Sequence, residues 1–256
     1  MIRSVLMALV LLLFYASFNV SKAEPGVVLD LASDHVDITT GFNGAPIYVY
    51  GVIDPADSDL SELNLVIVIK GPEQTLIVRR KDQFMGMWMN LDSIVFKDVY
   101  GFYDLASSSP NLIDITTPQI LAENDIGLNY LQYESLEGEI GDSAMQAFHE
   151  ALIQSKQSRG LYALSERTVD FISGPFFRAE FRVPASVPTG EYSVTGYLFH
   201  DLKLVDQYTV NLKVGQIGFN AMVFKYSKDH SLFYGLTAIL IAIIMGWSAS
   251  AFLRQD

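Results

Sequence analysis

Apolar and polar positions change their spacing three times along the chain. Between residues 27 and 79 the apolar residues fall in short runs, 27–31, 35–39, 47–53, 63–69 and 74–79, rich in β-branched and aromatic side chains. Turn signals separate them: Gly41-Phe42-Asn43-Gly44, Asp54-Pro55-Ala56-Asp57 and Lys70-Gly71-Pro72-Glu73. Short strands at this spacing predict a β-sandwich.

Past residue 110 the period becomes helical. Thr117-Pro118 offers a cap and a proline at the first helical position, and Gly127 a stop. Asp142 caps a second helix with Ala144, Phe148, Ala151, Leu152 and Ser155 on one face, and Lys156, Arg159 and Gly160 mark its exit. Alternation returns in 176–183, breaks between Pro184 and Pro188, and resumes in 190–199, which pairs with 205–214 through a turn near Asp201-Leu202-Lys203. The predicted fold is mainly β: an immunoglobulin-like β-sandwich over 24–215, with a helical insertion at about 111–165, plus one C-terminal transmembrane helix.

The two ends are apolar for different reasons. Arg3, an apolar stretch from Val5 to Ala16, and small residues at Ser21 and Ala23 predict a secretory signal peptide over 1–23, the alternative being an uncleaved anchor. Residues 232–253 carry no charge and are long enough to cross a hydrocarbon core of about 30 Å. A linker at 216–231 precedes this span and a tail at 254–256 follows it. Together they predict a single-pass protein of a bacterial inner membrane with its bulk in the periplasm. Ala238, Ala242, Gly246 and Ser250 recur every four residues, a small-residue ladder on which a second helix can pack closely in lipid. The predicted partners are therefore the bilayer and either another integral membrane protein or a second copy.

Composition narrows the chemistry. The 256 residues hold no cysteine, which excludes disulfides, thiol nucleophiles and cysteine zinc sites. Net charge is −12 overall and −14 over 24–231, so no nucleic acid partner is expected. His35, His149, His200 and His230 are scattered, and no metal centre, cofactor or catalytic set is expected. Asp54, Asp57, Asp59 and Glu62 do not follow the EF-hand spacing and read as a solvated loop. One local group stands out on so acidic a chain. Arg79, Arg80 and Lys81, followed by Trp88 and Asn90, form a candidate anion or partner site. The other reading is a strand-end charge run with Trp88 in the core.

Four stretches together resemble the alphaproteobacterial putative transmembrane protein family: Arg79 to Asn90, Gly101 to Pro110, Val187-Pro188-Thr189-Gly190-Glu191-Tyr192, and Tyr234-Gly235-Leu236 with Gly246-Trp247. The resemblance implies an exported domain with one C-terminal span, in the company of sulfite-exporter-type permeases, and it brings no catalytic residues. The expectation is thus a non-enzymatic membrane-anchored periplasmic accessory or interaction protein, the alternative being a membrane-tethered solute-binding module for a small anion.

Overall fold

The computed structural model describes residues 24–84, 87–136, 141–165, 167–217 and 219–253, with backbone alone at 80–84, 87–92, 142, 219–221, 225 and 251–253. The signal peptide read at 1–23 and the tail at 254–256 lie outside the described residues. The strands are β1 (Gly26–Leu31), β2 (His35–Ile38), β3 (Ala45–Asp54), β4 (Leu63–Lys70), β5 (Glu73–Phe84), β6 (Met87–Tyr100), β7 (Tyr103–Ser107), β8 (Arg167–Thr168), β9 (Asp170–Ser173), β10 (Phe176–Val183), β11 (Gly190–His200) and β12 (Lys203–Gln216). Helices α1 (Leu112–Ile115), α2 (Pro118–Glu123) and α3 (Asp142–Ser158) lie between β7 and β8. Helices α4 (Phe219–Asp229) and α5 (Ser231–Leu253) follow β12.

The protein is mainly β. One sheet has the order β1-β3-β10-β9, a second, curled like half a barrel, has the order β2-β12-β11-β4-β7-β8, and β5 pairs with β6 alone. In β10 the alternation buries Phe177, Ala179, Phe181 and Val183 and turns Phe176, Arg178, Glu180 and Arg182 outward, as period two requires. By contrast β4 is buried almost continuously from Leu63 to Ile69. Its two faces are both covered, because Val49, Phe177 and Phe181 of the first sheet and Ile115, Leu121 and Ile126 of the helical segment join one core. Each such fully buried large side chain contributes about 1.5–3 kcal/mol. Between β11 and β12 a two-residue turn holds Asp201 and Leu202 at φ 50° and 63°, the mirror-image geometry that tight hairpins need.

The sequence pattern ends the fifth strand at 79, but β5 runs on to Phe84 and returns as β6, a long two-stranded arm. Arg79, Arg80 and Lys81 therefore sit within a strand and not at its end. The pattern was weak there because the arm lies in neither large sheet, so the outer half has no need of an alternating apolar face. In α3 the buried stripe is Phe148, Leu152 and Lys156, whereas Ala151 and Ser155 are exposed. That stripe follows the i, i+4 ridge, and Lys156, read as an exit signal, belongs to it.

Strand directions fix which end of the domain meets the C-terminal helices. Gly190 pairs with Val214 and Ser193 with Lys70, so the end of β4, the start of β11 and the end of β12 lie together. The chain enters the arm from β4, and leaves for α4 from β12, at this one end. Helices α4 and α5 pack around a groove lined by Met222, Val223, Tyr226, Tyr234, Ala238 and Ile241. Helix α5 is about 35 Å long at 1.5 Å per residue and leaves Leu236, Ile239, Leu240, Ile243 and Ile244 exposed, apolar on every side. Two of its hydroxyls turn inward, Thr237 Oγ1 donating to the Phe233 carbonyl and Ser248 Oγ to that of Ile244, so neither needs water.

Candidate functional site: the arm, its root and the membrane helix

The root of the arm is a partly buried polar network. Tyr100, the last residue of β6, donates from Oη to Asp125 Oδ2 at 2.7 Å, and Lys70 Nζ lies 3.4 Å from the same oxygen and 2.9 Å from the Asn124 carbonyl. Asp125 takes φ 53°, a left-handed backbone that ends α2. Tyr103 Oη donates to the Asp125 carbonyl at 2.8 Å and accepts from the Gly127 amide at 2.7 Å. Beside it Tyr133 and Tyr162 share a 2.7 Å hydroxyl contact, and Tyr162 Oη donates to the Tyr100 carbonyl. Burial pushes the phenols of Tyr100, Tyr103, Tyr133 and Tyr162 well above their usual range, so they stay protonated donors. Burial lowers the Lys70 ammonium, with the Asp125 carboxylate opposing that shift.

Helix α3 buttresses the inner half of the arm. Phe148 and Leu152 pack with Ile94, Phe96 and Val99, flanked by Leu76, Val78 and Met145. The Lys97 amide donates to the Glu134 carbonyl and the Leu136 amide to that of Val95, so the segment before α3 is laced to β6. His149 Nε2 is buried without a hydrogen-bond partner among the described residues, its ring 5.7 Å from that of Tyr133, and burial lowers its pKa toward the neutral form.

Beyond this buttress lies the group singled out from the sequence. Arg79 is exposed and pairs with Ser93 across the ladder. Arg80 pairs with Asp92, Lys81 with Asn90 and Gln83 with Trp88, and the register slips between Arg80 and Lys81. The fold thus brings all five residues onto a few neighbouring rungs. The side chains of Arg80, Lys81, Trp88 and Asn90 lie outside the described residues.

A cleft of about 650 Å³ opens on another side of the insertion, lined by Tyr103, Ser107, Ser109, Asn129, Arg167 and Thr168 among others. Arg167 Nε donates to Asp104 Oδ2 at 2.6 Å, and the Asp104 side chain is 2% exposed. Burial raises the Asp104 pKa, while Arg167 and the Leu105 amide pull it down. Sequence reading missed this pair, since 63 residues separate its members and neither has a local signature.

Two of the carboxylates between Asp54 and Glu62 serve the local backbone. Asp54 accepts from the Ala56 amide and Asp59 caps the Ser61 amide, while Glu62 lies 3.4 Å from His200. Among the described residues no group of three or more histidine, aspartate or glutamate side chains is placed to hold a metal ion. On α5, Ala238 lines the groove with α4, while Ala242, Gly246 and Ser250 are exposed, and a Cβ added at Gly246 would meet nothing within 4 Å.

Among the described residues, a β-rich domain joined to one apolar helix of membrane-spanning length defines a transmembrane protein class. The chain belongs to the family described as Putative transmembrane protein (Alph_Pro_TM), which it matches over residues 26–255. No curated protein matches it.

Proposed function

We propose that the protein is a non-enzymatic accessory protein of a bacterial inner membrane, with its β-rich domain in the periplasm and α5 packed against another integral membrane protein, a permease of the sulfite-exporter type. The observation that carries this reading is the face of α5 along Ala242, Gly246 and Ser250, small and exposed, where a Cβ added at Gly246 would meet nothing within 4 Å. The domain itself reads as an immunoglobulin-like sandwich. The four strands β1-β3-β10-β9 packing with the six-stranded sheet β2-β12-β11-β4-β7-β8 in one core support this, as does Tyr192, whose hydroxyl donates to the Pro188 carbonyl at 2.6 Å in the manner of a tyrosine corner. Such a sandwich presents loops and arms on a rigid frame. The test is cross-linking in membranes followed by purification of wild type and of an Ala242→Leu/Gly246→Leu chain. A multi-pass protein recovered with the first and lost with the second supports the reading, and equal recovery from both overturns the assigned face.

The second reading, a membrane-tethered module for a small anion, keeps Arg79, Arg80, Lys81, Trp88 and Asn90 as its residues. Their placement on neighbouring rungs favours it. Equal binding of sulfite, sulfate and phosphate by wild type and Arg79→Ala/Arg80→Ala removes it.

A further inference from the structure

We propose that the cleft beside β7 and β8 binds a small organic monocarboxylate, with the carboxylate on Arg167 and the body of the ligand against uncharged polar walls. The proposal uses none of the arm's cations and rests on neither reading above. Its first support is construction. At about 650 Å³ the cleft falls within the range of about 300–1,000 Å³ usual for small-molecule sites. Its walls come from β7 and β8, from Ser108-Ser109-Pro110 after β7, from Gly127-Leu128-Asn129 and from residues 163–165. Parallel pairing of Ala106 with Arg167 and of Ser107 with Thr168 sets these four residues side by side at the β8 end of the six-stranded sheet.

The second support is charge. Among the described residues that line the cleft, Arg167 alone is charged, and it is a cation on a domain of net −14. Asp104 accepts from its Nε, but that carboxylate is 2% exposed and does not line the cleft. No other described residue accepts from the guanidinium, which has five N–H donors and is 35% exposed. Arginine held by one carboxylate in this way keeps donors for a second, whose planar geometry its fork matches. Because Asp104 already shares the charge, the pair supports one further negative charge and leaves a dianion such as sulfate or phosphate undercompensated.

The third support is the set of polar groups left unspent. Ser107, 3% exposed, accepts through Oγ from the Ser109 amide, while its own O–H donates to no described residue. A buried hydroxyl with a free donor at a cleft wall is costly unless something accepts from it. The side chains of Asn129, Ser165 and Thr168 make no hydrogen bond with other described residues and are exposed at the same cleft. Leu105, Pro110, Leu128 and Leu164 add apolar wall between them. The occupant that matches is a carboxylate on a short aliphatic body that carries a hydroxyl group.

The test is a ligand-observed NMR titration of the full-length protein in micelles with 2-hydroxy-3-methylbutanoate, its neutral amide and sulfate, at constant ionic strength. The hydroxy acid is expected to bind with a Kd of about 1 mM or lower, and the amide and sulfate about tenfold more weakly or worse. Arg167→Met is expected to weaken the acid about tenfold or more. Because that substitution also costs stability, Asn129→Ala/Thr168→Val, two exposed positions on the same walls, is the second variant. It is expected to weaken binding about fivefold with its melting temperature unchanged. The Arg79→Ala/Arg80→Ala chain is expected to bind as wild type does. No binding of the acid, equal binding of its amide or of sulfate, or wild-type affinity in the Asn129→Ala/Thr168→Val chain overturns the proposal. Loss of binding in the Arg79→Ala/Arg80→Ala chain overturns it too, and assigns the ligand to the arm.

Discussion

Tyr100 and Asp125 meet through a 2.7 Å hydrogen bond that ties the last residue of the arm to the left-handed turn closing α2. The contact fastens arm, helical segment and β4 together, since Lys70 shares the carboxylate. Tyr100→Phe is expected to lower stability by about 1–2 kcal/mol in denaturant unfolding of the full chain in micelles. Asp125→Ala is expected to cost more, about 2–4 kcal/mol, because it strips a half-buried ammonium of its counter-ion and puts alanine at positive φ. Equal small effects from both would show that the network is not what secures the arm.

Arg167→Met is expected to destabilise by about 1–3 kcal/mol at pH 7, leaving the Asp104 carboxylate buried and unpaired. An acid whose folded pKa is raised binds its proton more tightly in the folded state, so stability falls as pH rises from 3.8 toward the folded value. Loss of the guanidinium raises that value further. The deficit of the variant is therefore expected to shrink on acidification, and a deficit independent of pH would contradict this.

Lys156 is 4% exposed, with its ammonium 5.7 Å from the Tyr162 ring centre. Burial first, and Arg159 second, push it down to about 8 from the ordinary 10.5. Between those values the unfolded chain binds more protons, so stability rises with pH through this window and the full cost persists below about 8. Lys156→Met is expected to be more stable than wild type by about 1–2 kcal/mol at pH 7, the gain fading toward pH 10.5. Thermal unfolding across that range checks it, and no gain at pH 7 would count against the account.

Two glycines of the large sheets should respond differently to an added methyl. At Gly51 a Cβ would come within 2.5 Å of the Val28 carbonyl and 2.2 Å of the Phe177 ring, and backbone cannot step aside. At Gly196 the contact is the Leu29 Cδ2 end of a flexible side chain, at 2.5 Å. Gly51→Ala is expected to cost about 2–3 kcal/mol and Gly196→Ala about 1 kcal/mol or less, by denaturant midpoints. A reversed order would contradict the packing described.

What the sequence made legible is what local rules control. The alternation of 176–183, the turn at Asp201-Leu202 and the proline start of α2 appear where their patterns lie, whereas Asp142, read as the cap of α3, is its first helical residue and Gly141 takes the cap position without a side chain to fill it. The second strand of the arm did not, because 87–100 mixes charges and methionines on a ribbon that belongs to neither large sheet. Asp125 and Asp104 were also missed, since each acquires its role from a partner brought by the fold, Tyr100 or Arg167. The five residues from Arg79 to Asn90 were found as a cluster, but their extension on an arm came from the backbone alone.

The central claim is that one face of α5 contacts another membrane protein, and site-specific photo-crosslinking tests it most directly. Photoreactive residues placed at Ala242 and Gly246 are compared with the same probes at Leu240 and Ile244, on the opposite side of the helix. The account expects one discrete adduct with a multi-pass protein at the first pair and none at the second. Adducts at both pairs alike, or at neither, would contradict it.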